Sequence, residues 1–197
     1  MNLGRYILGI TGASGSIYGI RLAQQLLVRG DEIHLVMTDN GRAVVEYETG
    51  YTADELTDDL QGYDGKLESY SIGDIFAPIS SGSFKADAMI VAPCSMATLA
   101  HIANGISDNL LERAADVCIK ERRRLILVPR ETPLSSIHLS NMLALSQAGA
   151  IVLPAMPAFY HKPQSLDDAV NFVVGKTLDA LGIDNDLYKH WNGEIKL

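Results

Sequence analysis

The feature that most constrains this chain is a series of short, almost wholly apolar segments, each separated from the next by a helical stretch. Tyr6–Thr11, Glu32–Thr38, Ala88–Ala92, Leu125–Pro129 and Ala150–Pro154 read as strands. Strands without a polar face need cover on both sides, which implies a parallel sheet with helices above and below. Helices are expected at Ile17–Arg29, Gly41–Glu48, Ser95–Ala103, Asp108–Lys120, Ser136–Ala148 and Leu166–Leu181. In the first of these, Ile20, Leu22, Ala23, Leu26 and Leu27 form one apolar side and Gly30 stops the helix. Right-handed crossovers then give a doubly wound α/β fold with a mostly parallel sheet. Thr52–Ser83 is the least regular stretch, with a short edge strand expected near Lys66–Tyr70. Residues 1–182 read as one domain. The segment 183–197 reads as a polar tail, apart from Tyr188 and Trp191, that packs on a neighbouring surface.

A chain of 197 residues with 47% hydrophobic and 20% charged content can bury a core of its own. The net charge of −8 disfavours nucleic acid as a partner. No run approaches the ~20 apolar residues of a membrane helix, no cleavable signal pattern opens the chain, and a cytoplasmic protein is the expectation. Cys94 and Cys118 form no paired motif and read as buried free thiols. The five histidines have no ligand spacing, so no metal site is expected. Six of the sixteen basic residues fall between Arg113 and Arg130, which leaves room for a local anion site; a solvated turn at Arg122–Arg124 is the plainer explanation for part of the cluster.

In a doubly wound sheet, ligands bind beyond the carboxyl ends of the strands. That rule selects the loops 12–15, 38–40, 93–98, 130–136 and 157–163. Gly12-Ala13-Ser14-Gly15 opens the first helix and suits either a tight turn or an anion held on backbone amides. Its spacing differs from the dinucleotide GxGxxG pattern, and Asp39 keeps only a weak nicotinamide reading open. At Pro93-Cys94-Ser95-Met96-Ala97-Thr98, two hydroxyls and several amides face one point, as a phosphate monoester or a ribityl chain requires; Ser95 also serves as a plain N-cap. Arg113 and Lys120 share a helix face with Asp116, where solvated ion pairing competes with a ligand role. Arg130 and Glu131 end a buried strand, placing a bidentate phosphate donor and a proton carrier at the ligand edge. In the loop 157–163, Tyr160 offers a phenol to a phosphate and Phe159 an apolar wall, with His161 and Lys162 expected to be solvated.

An ordered set of segments closely resembles the flavin prenyltransferase family of the UbiX/Pad1 type. The pieces are Thr11-Gly12-Ala13-Ser14-Gly15, Ser80-Ser81-Gly82-Ser83, Pro93-Cys94-Ser95, Leu111-x-Arg113-Ala114-Ala115-Asp116-Val117, Lys120-Glu121-Arg122-Arg123, Val128-Pro129-Arg130-Glu131 and Phe159-Tyr160-His161-x-Pro163-Gln164-Ser165. The resemblance implies a flavodoxin-like or Rossmann-like FMN domain over residues 1–182. It also implies a homo-oligomer, a dodecamer, with sites at subunit junctions and the tail 183–197 on a neighbouring subunit. The implied reaction joins a dimethylallyl group from dimethylallyl monophosphate, or in some relatives the pyrophosphate, to N5 and C6 of reduced FMN. No metal takes part, and the product serves a UbiD-type decarboxylase, in ubiquinone biosynthesis or aromatic-acid decarboxylation.

Carried over by position, Gly12, Ala13, Ser14, Thr38, Ser95, Met96, Ala97, Thr98 and Arg130 would hold FMN. Arg113, Lys120, Arg130, Tyr160 and Lys176 would bind the donor, while Ser14, Glu48 and Glu131 would assist proton movement. Relatives often have Ser where this chain has Thr38, and Arg where it has Lys176; the lysine keeps the charge but loses the planar fork. The alternatives are an FMN-dependent cysteine decarboxylase, a non-catalytic flavin carrier and a direct aromatic-acid decarboxylase. Against the first, the chain lacks the Pro-Ala-Ser-Ala-Asn-Thr motif and a histidine near Glu48.

Overall fold

The computed structural model describes residues 3–191 and 193. Six parallel strands form one sheet in the order β3-β2-β1-β4-β5-β6: β1 (Arg5–Ile10), β2 (Glu32–Met37), β3 (Lys66–Tyr70), β4 (Ala88–Cys94), β5 (Arg124–Pro129) and β6 (Ile151–Val152). Of the two doubly wound patterns anticipated, this strand order is the Rossmann one. The chain starts at the centre, winds outward to β3, returns to β4 beside β1 and winds outward again. The point of reversal lies between β1 and β4, and their carboxyl ends flank the crevice where such folds take ligands.

Among the described residues, seven α-helices cover the two faces: α1 (Ser16–Val28), α2 (Asp39–Thr49), α3 (Ala53–Gln61), α4 (Met96–Ala103), α5 (Leu110–Lys120), α6 (Ser136–Gln147) and α7 (Leu166–Leu181). One core gathers Leu8, Ile10, Leu35 and Ile90 of the sheet against Leu26 of α1, Leu60 of α3 and Val174 of α7. The other sets Ile7, Met89, Val91 and Leu127 against Leu99 of α4, Leu111 of α5 and Leu145 of α6. Alternate residues of each strand therefore serve opposite cores, which is why the strands are apolar throughout.

Two elements depart from the sequence reading. Within the supposedly irregular stretch, α3 forms because the Thr52 hydroxyl accepts a bond from the Glu55 amide while the Glu55 carboxylate accepts one from the Thr52 amide, a complete capping box. Leu56 and Leu60, one turn apart, then bury a single face. β6 is shorter than expected: it sits at the edge of the sheet, where Pro154 falls between the Leu153 and Ala155 amides that bond to β5 and turns its N–H-less side to the open edge. Residues 183–191 lie along α7 of their own chain, with Ile183 and Tyr188 buried. Asn192 and residues 194–197 of the expected tail fall outside the described residues.

Candidate functional site

The loops after β1 and β4 are tied by one buried side chain. Thr11 donates its hydroxyl to the Pro93 carbonyl at 2.8 Å and accepts the Ser95 amide at 2.7 Å. The loop after β2 closes against them, since a Cβ at Gly12 would fall 2.6 Å from that of Asn40; only glycine lets these backbones come so near. Thr38 caps α2 by accepting from the Gly41 amide at 3.0 Å. Three of the expected loops thus meet at the reversal point. Thr11 was missed as a positioning residue in the sequence reading, because its partners lie 82 and 84 residues away.

The amino end of α1 is already occupied. Glu48, from α2, accepts the Gly15 amide at 3.0 and 3.1 Å, the Ser16 amide at 2.8 Å and the Ser16 hydroxyl at 2.7 Å. Burial pushes the Glu48 carboxyl upward, but the hydrogen bonds from Ser14, Ser16 and the two amides outweigh it and hold the group below its ordinary value. Glu48 is therefore a fixed anion at a positive helix end, and a second anion is disfavoured there.

The amino end of α4 is different. Ser95 accepts the Thr98 amide at 3.2 Å and donates to the Thr98 hydroxyl at 3.0 Å, and no acidic residue lies in the first turn. Ala97 is exposed, whereas the Met96 side chain is buried in the core, so Met96 can offer a ligand only its backbone. The donors here are hydroxyls and helix amides, the chemistry that suits a phosphate monoester.

Arg130 bridges the top of the crevice, donating from Nε to the Ser14 carbonyl at 3.1 Å. Glu131 beside it is exposed, with its carboxylate on the Thr132 amide at 2.9 Å. Both line a cavity of about 270 Å³ with Leu134, Met142, Pro154 and Met156. A larger cavity, of about 740 Å³, lies at the other end of the sheet beside Arg122–Arg124; it is remote from every loop that carries the hydroxyls, so we assign it no part in the site. Among the described residues no group of His, Cys, Asp and Glu could hold a metal ion.

The remaining basic residues are not brought together within one chain. Lys120 ends α5 just before β5 begins, whereas Arg130 follows the far end of β5, a strand rise of about 17–20 Å away. Lys120 pairs with Glu121 at 2.7 Å; Arg113 pairs with Asp116 at 2.9 Å and donates to the Ser80 carbonyl at 3.2 Å. Tyr160 stands in an aromatic cluster, its ring centroid 6.0 Å from Phe172 and 5.9 Å from Trp191. His161 is not solvated as expected: its ring stacks on Phe172 at 5.3 Å and both ring nitrogens are buried without a partner. Lys176 of α7 pairs with Asp179 at 3.2 Å.

The family model described as Flavoprotein matches residues 2–178. The flavin prenyltransferase UbiX of Halalkalibacterium halodurans is 51% identical over 97% of this chain and 95% of its own length. The chain belongs to the UbiX flavin prenyltransferase family. A crystal structure of AnUbiX (PadA1) in complex with FMN and dimethylallyl pyrophosphate superposes with a TM-score of 0.91 at 45% identity, covering 98% of this chain and 100% of the other. A dodecameric FMN-dependent UbiX-like decarboxylase from Escherichia coli O157:H7 gives 0.88 at 46% identity, covering 96% and 100%. An FMN-dependent cysteine decarboxylase, TvaF, gives 0.64 at 20% identity over 92% of this chain, a likeness of fold alone beside the UbiX family.

Proposed function

We infer that this protein is a flavin prenyltransferase, joining a dimethylallyl group from dimethylallyl phosphate to reduced FMN. Membership of the UbiX family supports this reading. The observation that carries its placement is the pair of unlike helix ends at the reversal point, one sealed by Glu48 and one offering Ser95 and Thr98. Reduced FMN supplies the nucleophilic N5 and C6 positions that take the prenyl group.

In this reading, Ser95, Thr98 and the amides of Met96 and Ala97 hold the flavin phosphate. Gly12, Ala13, Ser14 and Thr38 wall the ribityl and ring side. Arg130 faces both ligands, because its guanidinium is anchored at Ser14 yet lines the adjoining cavity. Breaking the allylic carbon–oxygen bond builds charge on the departing phosphate, which Arg130, Tyr160 and Lys176 stabilise with Lys120 and Arg113. Closing the second bond adds a proton to the prenyl double bond and removes one from C6; Glu131 carries that proton, and Ser14 and Glu48 steady charge beside the ring. The mostly apolar walls of the cavity keep water from an allylic cation.

Because Lys120 lies at the opposite end of the sheet, a complete donor site draws it from another copy. This fits a homo-oligomer, and we infer a dodecamer. Helix α6 supports a subunit contact: Ile137, Leu139 and Leu143 are exposed on the single chain, and Leu145 is its one buried residue. No described helix is long and apolar enough to cross a membrane, and we place the protein in the cytoplasm, passing prenylated FMN to a UbiD-type decarboxylase.

The test is anaerobic incubation with reduced FMN and dimethylallyl monophosphate, followed by mass analysis of the extracted flavin. A flavin heavier by one prenyl unit is expected. Tight FMN binding with unchanged flavin mass would mean a carrier instead.

A further inference from the structure

Gly175 sits in the interior of α7, where glycine costs about 1 kcal/mol relative to alanine. The reason for it is the tail. A Cβ at Gly175 would fall 2.6 Å from Cδ1 of Tyr188 and 2.8 Å from Oδ1 of Asn185. The missing methyl opens a seat on the helix, and the segment after α7 folds back into it. Asn185 donates to the Gly175 carbonyl at 3.2 Å and to Asp179 Oδ1 at 2.9 Å, and the Tyr188 hydroxyl donates to Asp179 Oδ2 at 2.5 Å. The same Asp179 oxygen receives Lys176 Nζ at 3.2 Å, and that ammonium lies 5.9 Å over the Tyr188 ring. Tyr188 is buried and meets Phe172 edge-on at 5.0 Å. Tyr160 in turn is held between Phe172 and, from the tail, Trp191.

We propose that Asp179 and Tyr188 are positioning residues for the prenyl donor: they latch the tail into the seat at Gly175 and so fix Lys176 and Tyr160 relative to one another. The proposal rests on the reading of Lys176 and Tyr160 as phosphate-binding groups. A free lysine surrenders its rotamer freedom when it grips an anion; one already held by Asp179 surrenders less. The Tyr188 hydroxyl shares the Asp179 charge, and the ammonium keeps further N–H donors for a phosphate. Burial and the adjacent Asp179 carboxylate raise the Tyr188 phenol, keeping it a donor.

The test uses full-length, assembled protein with Asp179→Asn, Tyr188→Phe and Gly175→Ala. Donor KM and kcat are measured with reduced FMN saturating, alongside FMN affinity and acrylamide quenching of Trp191, the single tryptophan of the chain. Donor KM should rise about tenfold while kcat stays within about twofold, FMN affinity holds and Trp191 becomes easier to quench; Asp179→Glu should recover part of the loss. Wild-type donor KM in Tyr188→Phe and Asp179→Asn, with Tyr160→Phe and Lys176→Ala still raising it, overturns the latch alone. Wild-type KM in those last two overturns the phosphate reading beneath it. A joint fall in kcat and FMN affinity with KM unchanged also overturns the proposal, since it would mark plain structural damage. Tyr188→Phe preserves the ring, so it decides the matter even if Gly175→Ala fails to fold.

Discussion

The amino ends of α1 and α4 stand side by side at the same crevice, one after β1 and one after β4, yet they are built to opposite purposes. Both begin with amides that have no partner within the helix and the positive pole of the helix behind them. At α1 the protein fills that position itself, with the Glu48 carboxylate carried in from α2. At α4 it supplies only the hydroxyls of Ser95 and Thr98. A glycine-rich loop opening a helix is therefore not by itself a phosphate cradle. What matters is whether another part of the chain has already delivered a negative charge there.

The contrast can be broken most severely by copying the α1 arrangement onto α4. Ala97→Glu places a carboxylate at the exposed first turn of α4, and FMN affinity should fall at least about 100-fold, from charge repulsion of roughly 3 kcal/mol or more. Riboflavin affinity, which involves no phosphate, should change little; equal losses for both flavins would place the phosphate elsewhere. Thr98→Val is gentler, removing one hydroxyl from a buried position at nearly constant volume. Titration should show FMN binding about tenfold weaker, and an unaltered constant would take Thr98 out of the site.

The smallest effect belongs to Glu48→Gln, read as stability. Glu48 titrates lower in the folded chain than its ordinary value, so its contribution is present in full above the ordinary carboxylate range and is lost as pH falls through the lowered one. Because the side chain is exposed, about 1 kcal/mol is expected, a melting shift of about 2–4 °C at neutral pH. The melting curves of the variant and the parent should converge in acid. A constant gap across the acid range would show that charge at α1 has no part in it.

Much of this was legible in the chain. Five of the six strands betray themselves by their apolar runs, and the direction of each loop follows from strand order. Ser95 was readable as a cap, and Thr98 stood out because threonine is a poor interior helix residue. The helix α3 was also legible, through Thr52-Ala53-Asp54-Glu55, but its acidic surface concealed the two leucines that seat it. Contacts between distant segments were not. Glu48 reaches α1 across more than thirty positions, and no local pattern marks a glutamate as destined for another helix. His161 looked solvated between a tyrosine and a lysine, yet Phe172 of α7 draws it inward. The separation of Lys120 from Arg130 could have been inferred: a helix that leads into a strand ends at that strand's beginning, so residues flanking β5 on either side lie at its two extremities.

The Thr11 hydroxyl, shared between the Pro93 carbonyl and the Ser95 amide, has a bearing on how product leaves. It couples the loops after β1 and β4, so the floor of the crevice resists parting at that point. The aromatic segment around Tyr160 and the returning chain end rest on α7 and add no strand to the sheet, which leaves them the more easily displaced when a bulkier flavin departs.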